Sequence, residues 1–194
     1  PFDNTAVDFL ETCGNPIMKI ASFEITDVNL IRYAASKGKP MVISTGIATL
    51  EDIELAIKTC HEAGNYDVTL LRCVSAYPAP LENVNLRTML DMKERFGVKV
   101  GLSDHTMGSD VVLAAVALGA EMVEKHFIFD RTIGGPDAAF SMTVEEFKAM
   151  VISIRNVEKA LGVVDYPTDP SQIKGRQLSL IHISEPTRPR LISY

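Results

Sequence analysis

The sequence predicts an α/β chain that forms part of a (β/α)₈ barrel, about five βα units long. Apolar runs alternate with helical patterns along most of its 194 residues. The runs are continuous rather than alternating, as in parallel strands buried on both faces. Each run ends in a polar cluster, and a barrel gathers such strand ends on one functional face.

The runs are Ile17–Ala21, Met41–Ile43, Val68–Cys73, Val98–Leu102 and Met122–Val123 with its flanks. They are short and rich in β-branched residues, which suits strands. Helices with readable ends lie between them. Thr49 can cap a helix with the stripe Leu50, Ile53, Ile57 and Cys60, stopped at Gly64. Thr143-Val-Glu-Glu146 is a capping box. It precedes Phe147, Met150, Val151, Ile154, Val157 and Leu161 at helical spacing, with Gly162 as the stop. Strand alternating with helix implies a parallel sheet with right-handed crossovers.

The strand ends read Lys19-Ile-Ala-Ser22, Ile43-Ser-Thr-Gly46, Arg72-Cys-Val-Ser75, Gly101-Leu-Ser-Asp-His105 and Glu124-Lys-His-Phe127. They recur about every 22 to 31 residues, against roughly 31 per unit for a barrel of about 250 residues. A five-stranded doubly wound sheet satisfies the same count. It usually carries a Gly-rich phosphate loop at one switch point, whereas this sequence has no GxGxxG or Walker motif and has polar ends on every strand. The barrel is favoured. A closed barrel needs eight strands, so the chain is expected to start late.

Composition excludes some functions. Hydrophobic residues make up 46%, charged residues 23%, and the net charge is −6, the balance of an ordinary globular domain. No Lys/Arg cluster lies beside interleaved aromatics, which argues against nucleic-acid binding. No apolar run approaches the ~20 residues that span a bilayer, so no membrane partner is expected. No secretory leader is readable, and the chain opens at Pro1 rather than Met. Cys13, Cys60 and Cys73 are odd in number and form no CxxC pair. They read as reduced thiols of a cytoplasmic protein, with Cys73 on a strand.

His105 and His126 are the sharpest pair. Each ends a strand, the strands are sequential neighbours, and imidazole is a common ligand of divalent transition metals. Two hydrogen-bonded histidines at a strand–loop junction would look the same. His61 sits among polar helix neighbours and reads as surface. Lys19, Ser22, Ser44 and Ser103 form a cationic and hydroxyl set suited to phosphate, although a lone serine is more often a turn or cap residue. Asp104 precedes His105 and points the other way along a strand, so it reads as structural. Glu24, Tyr77 and Asp137 are loop residues able to hydrogen-bond a polyol or simply to face solvent. Gly134-Gly-Pro-Asp137 has an ordinary turn composition.

Together KIASFE (19–24), ISTG (43–46), SAYPAP (75–80), GLSDHT (101–106), EKHF (124–127) and GGPD (134–137) resemble the sialic-acid and pseudaminic-acid synthases. The resemblance runs from Pro1 to about Gln177, with the motifs in order. It implies a (β/α)₈ barrel followed by a small antifreeze-like domain, in a domain-exchanged homodimer. It implies a transferase joining phosphoenolpyruvate to an amino sugar to give a nine-carbon sialic-acid-like sugar and phosphate. His105 and His126 would be catalytic as ligands of Mn²⁺, with Mg²⁺ or Co²⁺ as alternatives. Lys19, Ser22, Ser44 and Ser103 would hold the phosphate. Glu24, assigned to catalysis, Tyr77 and Asp137 match positions that touch the acceptor sugar. Ser75 stands where neuraminate enzymes carry an amide. Phe23 and the GGPD-Ala-Ala-Phe-Ser stretch look closer to pseudaminate synthases than to neuraminate synthases.

Pro1-Phe2-Asp3 resembles the loop after the family's third strand, which leaves strands one to three outside the chain. A segment alone is therefore expected to be inactive. Leu178 to Arg188 looks like a translated sequencing adapter. Domain boundaries are thus expected at 1–177 for the partial barrel and 178–194 for a non-native tail that holds His182. The alternatives are an N-acetylneuraminate synthase proper, a non-catalytic phosphosugar-binding barrel, or another phosphate-binding barrel such as a class II-type aldolase.

Overall fold

The computed structural model describes residues 1–164 and 166. The expected boundary at 177 and the adapter-like segment 178–194 lie outside the described residues. Pro1–Leu161 form one compact unit.

Five strands make one sheet: β1 (Met18–Ile20), β2 (Met41–Ser44), β3 (Val68–Cys73), β4 (Lys99–Asp104) and β5 (Val123–Lys125). Their spatial order is their chain order, and every adjacent pair is parallel. Helix α1 (Asn4–Thr12) precedes the sheet. Helices α2 (Val28–Ser36), α3 (Leu50–Glu62), α4 (Arg87–Phe96) and α5 (Asp110–Ala117) are the crossovers, and α6 (Val144–Leu161) follows β5. The result is an open half-barrel, as the alternation of strand and helix predicts.

Register explains which side chains reach which face. Ile20, Ile43, Leu70 and Val100 are partners across four strands. All four are fully buried, in a core with Ile31, Ala34, Ile57, Cys60 and Met89 from the helices. Burial of each such aliphatic side chain stabilises by about 1.5–3 kcal/mol. Side chains alternate along a strand, so Lys19, Ser44 and Ser103 take the face opposite that helical layer. A second core joins Leu102, Val112 and Ala115 to Met142 and Met150.

The helix ends follow the sequence signals. Asp52 N donates to Thr49 Oγ1 at 3.2 Å and Thr49 N donates to Asp52 Oδ2 at 2.9 Å, closing a capping box at α3. Thr143 N donates to Glu146 Oε2 at 2.9 Å at the start of α6. The α6 stripe is narrower than its periodicity suggests: Met150 is buried, Phe147 and Ile154 are partly buried against it, and Val151 and Leu161 are exposed. The last strand also differs. Its residues are partly buried or exposed rather than a buried run, because it has one neighbour and is built from Val123, Glu124 and Lys125.

Gly101 permits the close approach of β5 to β4. A Cβ there would lie 2.3 Å from Met122 O and 2.7 Å from Leu71 Cδ2. Among the described residues, no helix is long and apolar enough to cross a membrane.

Among the described residues β1 and β5 each pair on one side only, and an unpaired parallel edge is a template for another strand. Expressed by itself, the 194-residue chain is expected to associate in a concentration-dependent way in light scattering. A monomer that melts cooperatively would show that these edges are covered.

Candidate functional site

The carboxyl ends of the strands surround a depression of about 140 Å³. Lys19, Ser22, Ser44, Tyr77, Ser103, His105 and His126 line it, with Ala21, Phe23, Cys73 and Glu124. Lys19 reaches it because its strand neighbours Met18 and Ile20 are spent on the core. Ser44 and Ser103 lie on the same face of β2 and β4.

The polar groups hold one another. Lys19 Nζ donates to Ser44 Oγ at 2.8 Å and to Ile20 O at 3.1 Å, and lies 3.6 Å from Glu124 Oε1. Ser103 Oγ donates to the same Glu124 oxygen at 2.6 Å. Ser22 sits in a single turn of 3-10 helix, Ser22–Glu24, directly after β1. Its hydroxyl accepts from Gly46 N at 2.9 Å and donates to Cys73 Sγ at 3.5 Å. Among the described residues, Ser75 Oγ is buried with no hydrogen-bond partner. A Cβ on Gly46 would lie 2.3 Å from that oxygen and 2.8 Å from Ser22 Oγ. Glycine at 46 thus leaves a small cradle walled by two hydroxyls. Lys19 and this orphaned donor together suit an oxyanion.

The histidines end adjacent strands with ring centroids 5.2 Å apart. Tyr77 packs on both, at 4.3 Å from His105 and 5.8 Å from His126, and Phe140 lies 5.0 Å from His126. His105 Nδ1 lies 2.8 Å from Val74 O. A carbonyl only accepts, so Nδ1 carries the proton and Nε2 is the free donor atom. Burial opposes charge on both His105 and Cys73, whose atoms are 3.9 Å apart. For His105 the contacts to Cys73 and Val74 outweigh burial and raise its pKa. For Cys73 the hydrogen bonds with His105 and Ser22 outweigh it and lower the thiol. His126 is pushed below the ordinary imidazole value by burial and then by His105, which favours its neutral, ligating form.

Two expected residues stand apart. Asp137 Oδ2 lies 3.6 Å from His126 Nδ1, on a loop and more than half exposed. Glu24 is buried below the rim, and its oxygens accept from Ala21 N and Phe2 N, both at 2.6 Å. It does not line the depression; it holds the turn that carries Ser22.

Sequence reasoning passed over Glu124 and Cys73 as site residues. Glu124 was readable, since it lies two residues before His126 and so on the same strand face. Phe140 was readable as an apolar surface after Asp137 or as a core residue, and it packs against His126 and Tyr77. Among the described residues, no group of three His, Cys, Asp or Glu side chains able to hold a metal comes together. Two imidazoles with a defined free nitrogen supply part of a coordination shell, which suits an open site rather than a closed structural one.

The NeuB family model matches residues 1–166. The pseudaminic acid synthase of Helicobacter pylori is 46% identical over 177 residues, covering 91% of this chain and 52% of that protein. The N,N'-diacetyllegionaminic acid synthase of Campylobacter jejuni is 43% identical, covering 84% of this chain and 49% of that protein. The crystal structure of the N-acetylneuraminic acid (sialic acid) synthetase of Leptospira borgpetersenii, in complex with citrate, superposes with a TM-score of 0.83 at 32% identity. It covers 92% of this chain and 62% of that one. The chain spans about half the length of the curated relatives it matches.

Ser75→Ala is expected to leave the melting temperature unchanged or to stabilise by up to about 1 kcal/mol, because it deletes an unpaired buried hydroxyl. The same change should weaken the thermal stabilisation given by added inorganic phosphate. Thermal scans with and without phosphate check both; a clear loss of stability without phosphate would mean that Ser75 has a structural partner.

Proposed function

We propose that this chain, which belongs to the NeuB family, carries the phosphate- and metal-handling part of a nonulosonic acid synthase. In that reading it condenses phosphoenolpyruvate with a 2-acetamido sugar and releases phosphate. The observation that carries it is the convergence of Lys19, Ser22, Ser44, Ser103, His105 and His126 on one depression at the strand ends.

Each residue has a task in that reaction. Lys19 supplies the positive charge for the phosphate, while Ser22, Ser44 and Ser103 supply hydroxyl donors. Glu124 holds Lys19 and Ser103 until the anion arrives, and is exposed enough to swing aside. Ser75 Oγ gains the partner it lacks. His105 and His126 would hold a divalent cation, Mn²⁺ by the family resemblance, which would supply Lewis-acid polarisation of the acceptor aldehyde. The C3 carbon of phosphoenolpyruvate bonds to the aldehyde carbon as the aldehyde C=O π bond opens and its oxygen takes a proton, water adds at C2 with loss of a proton, and the C2–O bond to phosphate breaks. Tyr77 and Phe140 wall the histidines with aromatic surface, restricting where the acceptor can lie.

A pseudaminate-type acceptor is the finer reading. Phe23 lines the depression and is 63% exposed, an apolar surface against which a deoxy carbon can pack. Phe140 lies within the aromatic group rather than in a remote core. The 46% identity to a pseudaminic acid synthase supports the same choice, although the legionaminic relative is nearly as similar.

In the complete synthase, His105→Ala or His126→Ala is expected to lower phosphate release by roughly 10²-fold or more, since Lewis-acid stabilisation is worth several kcal/mol. Circular dichroism should show the fold retained. Wild-type turnover in either variant would remove the ligand assignment.

For the acceptor, the 6-deoxy diacetamido sugar is expected to exceed N-acetylmannosamine in kcat/KM without excluding it. A pocket for a methyl group discriminates by only about 1–3 kcal/mol. A clear advantage for N-acetylmannosamine would replace the pseudaminate assignment and keep the broader one.

A further inference from the structure

We infer that Asp104 and Lys125 are positioning residues, a buried pair that fixes the face of β4 and β5 on which the two histidines stand. This rests on the synthase reading above. Asp104 and Lys125 are register partners across the β4–β5 ladder. Lys125 Nζ donates to Asp104 Oδ2 at 2.6 Å, with both side chains 2% exposed. Lys125 Nζ also donates to Thr106 O at 2.6 Å, while Asp104 accepts from Thr106 N at 3.0 Å and Thr106 Oγ1 at 3.1 Å. Each charged residue immediately precedes a histidine. His105 is therefore bracketed between Asp104 and Thr106, and His126 follows the other half of the pair. Successive side chains of an extended chain leave on opposite faces, so the ion pair lies behind the site.

Apolar burial does not do this work at β5. Its one apolar residue, Val123, is only partly buried. A one-residue slip would cost little apolar area there, yet it would turn every side chain to the other face. The slip would also part Asp104 from Lys125 and strand two buried charges, which is severely unfavourable. In the correct register the same pair adds little net stability, because apolar residues of similar size do as well. Its effect is to penalise wrong pairing. The other polar pair of this ladder, Ser103 with Glu124, lies inside the site and is open to disturbance by any ligand.

The test compares the complete synthase with a variant carrying Asp104→Leu and Lys125→Met. Removing both charges together should leave the chain folded, with a melting temperature lowered only by the loss of the hydrogen bonds to Thr106. Mn²⁺ affinity by titration calorimetry is nevertheless expected to fall roughly tenfold to a hundredfold, as when groups that orient metal ligands are removed. The visible spectrum of bound Co²⁺ should change, and kcat should fall by a similar factor with KM for phosphoenolpyruvate little altered. If the double variant does not fold, Asp104→Asn combined with Lys125→Met keeps an acceptor for Thr106 N without leaving a buried charge, and should weaken Mn²⁺ binding in the same direction. Wild-type Mn²⁺ affinity and Co²⁺ spectrum in either folded variant overturns the inference and leaves the synthase reading intact. No Mn²⁺ binding by the unaltered protein overturns both.

Discussion

Parallel pairing is the constraint on which the rest of this molecule depends. Five strands run the same way, so five carboxyl ends share one rim, and every residue that follows a strand is delivered there. Reversing any one strand would send its polar end to the opposite side. Lys19, Ser44 and Ser103 are on strands themselves, where cross-strand hydrogen bonds restrict them. Tyr77, Asp137 and Phe140 come from loops, so the acceptor side of the site has the less rigid frame. In the proposed reading, a rigid anion set beside a more adaptable wall would suit a family whose relatives differ in the sugar acid they make.

The polar groups of the rim bond one another. Glu124 takes the hydrogen bond of Ser103 and neighbours Lys19, and Lys19 in turn donates to Ser44. A partly exposed ion pair of this kind contributes about 0–1 kcal/mol, so in the proposed reading a phosphate would displace Glu124 at small cost. The buried pair behind the rim is different, since splitting it exposes neither charge to water. The two faces of one strand pair therefore have opposite characters, one exchangeable and one fixed.

Much of the frame was legible in the sequence. Val68–Cys73 matches its apolar run residue for residue, and Thr49 and Thr143 cap where their spacing says they should. Strand alternation placed Asp104 away from the ligand face, and the structure gives it a lysine there. That Lys125 would be the partner was not legible, because the contact joins residues 21 positions apart. The position of Glu24 was obscured for the same reason: its carboxylate is committed to two backbone N–H groups, one of them 22 residues away. The exposure of β5 went unseen because short apolar runs do not reveal which strand stands at an edge. Phe140 reached the histidines through a loop whose path no periodicity records.

Gly101 has a consequence for the spacing of the two histidines. The missing side chain sets how closely the backbone around Met122 approaches β4, and the two imidazoles follow the ends of those same strands. A methyl group at this position would have to push the strands apart or tilt them, and so would change the distance between the rings without touching either histidine. The separation of two side chains is in that sense set by a residue that has none.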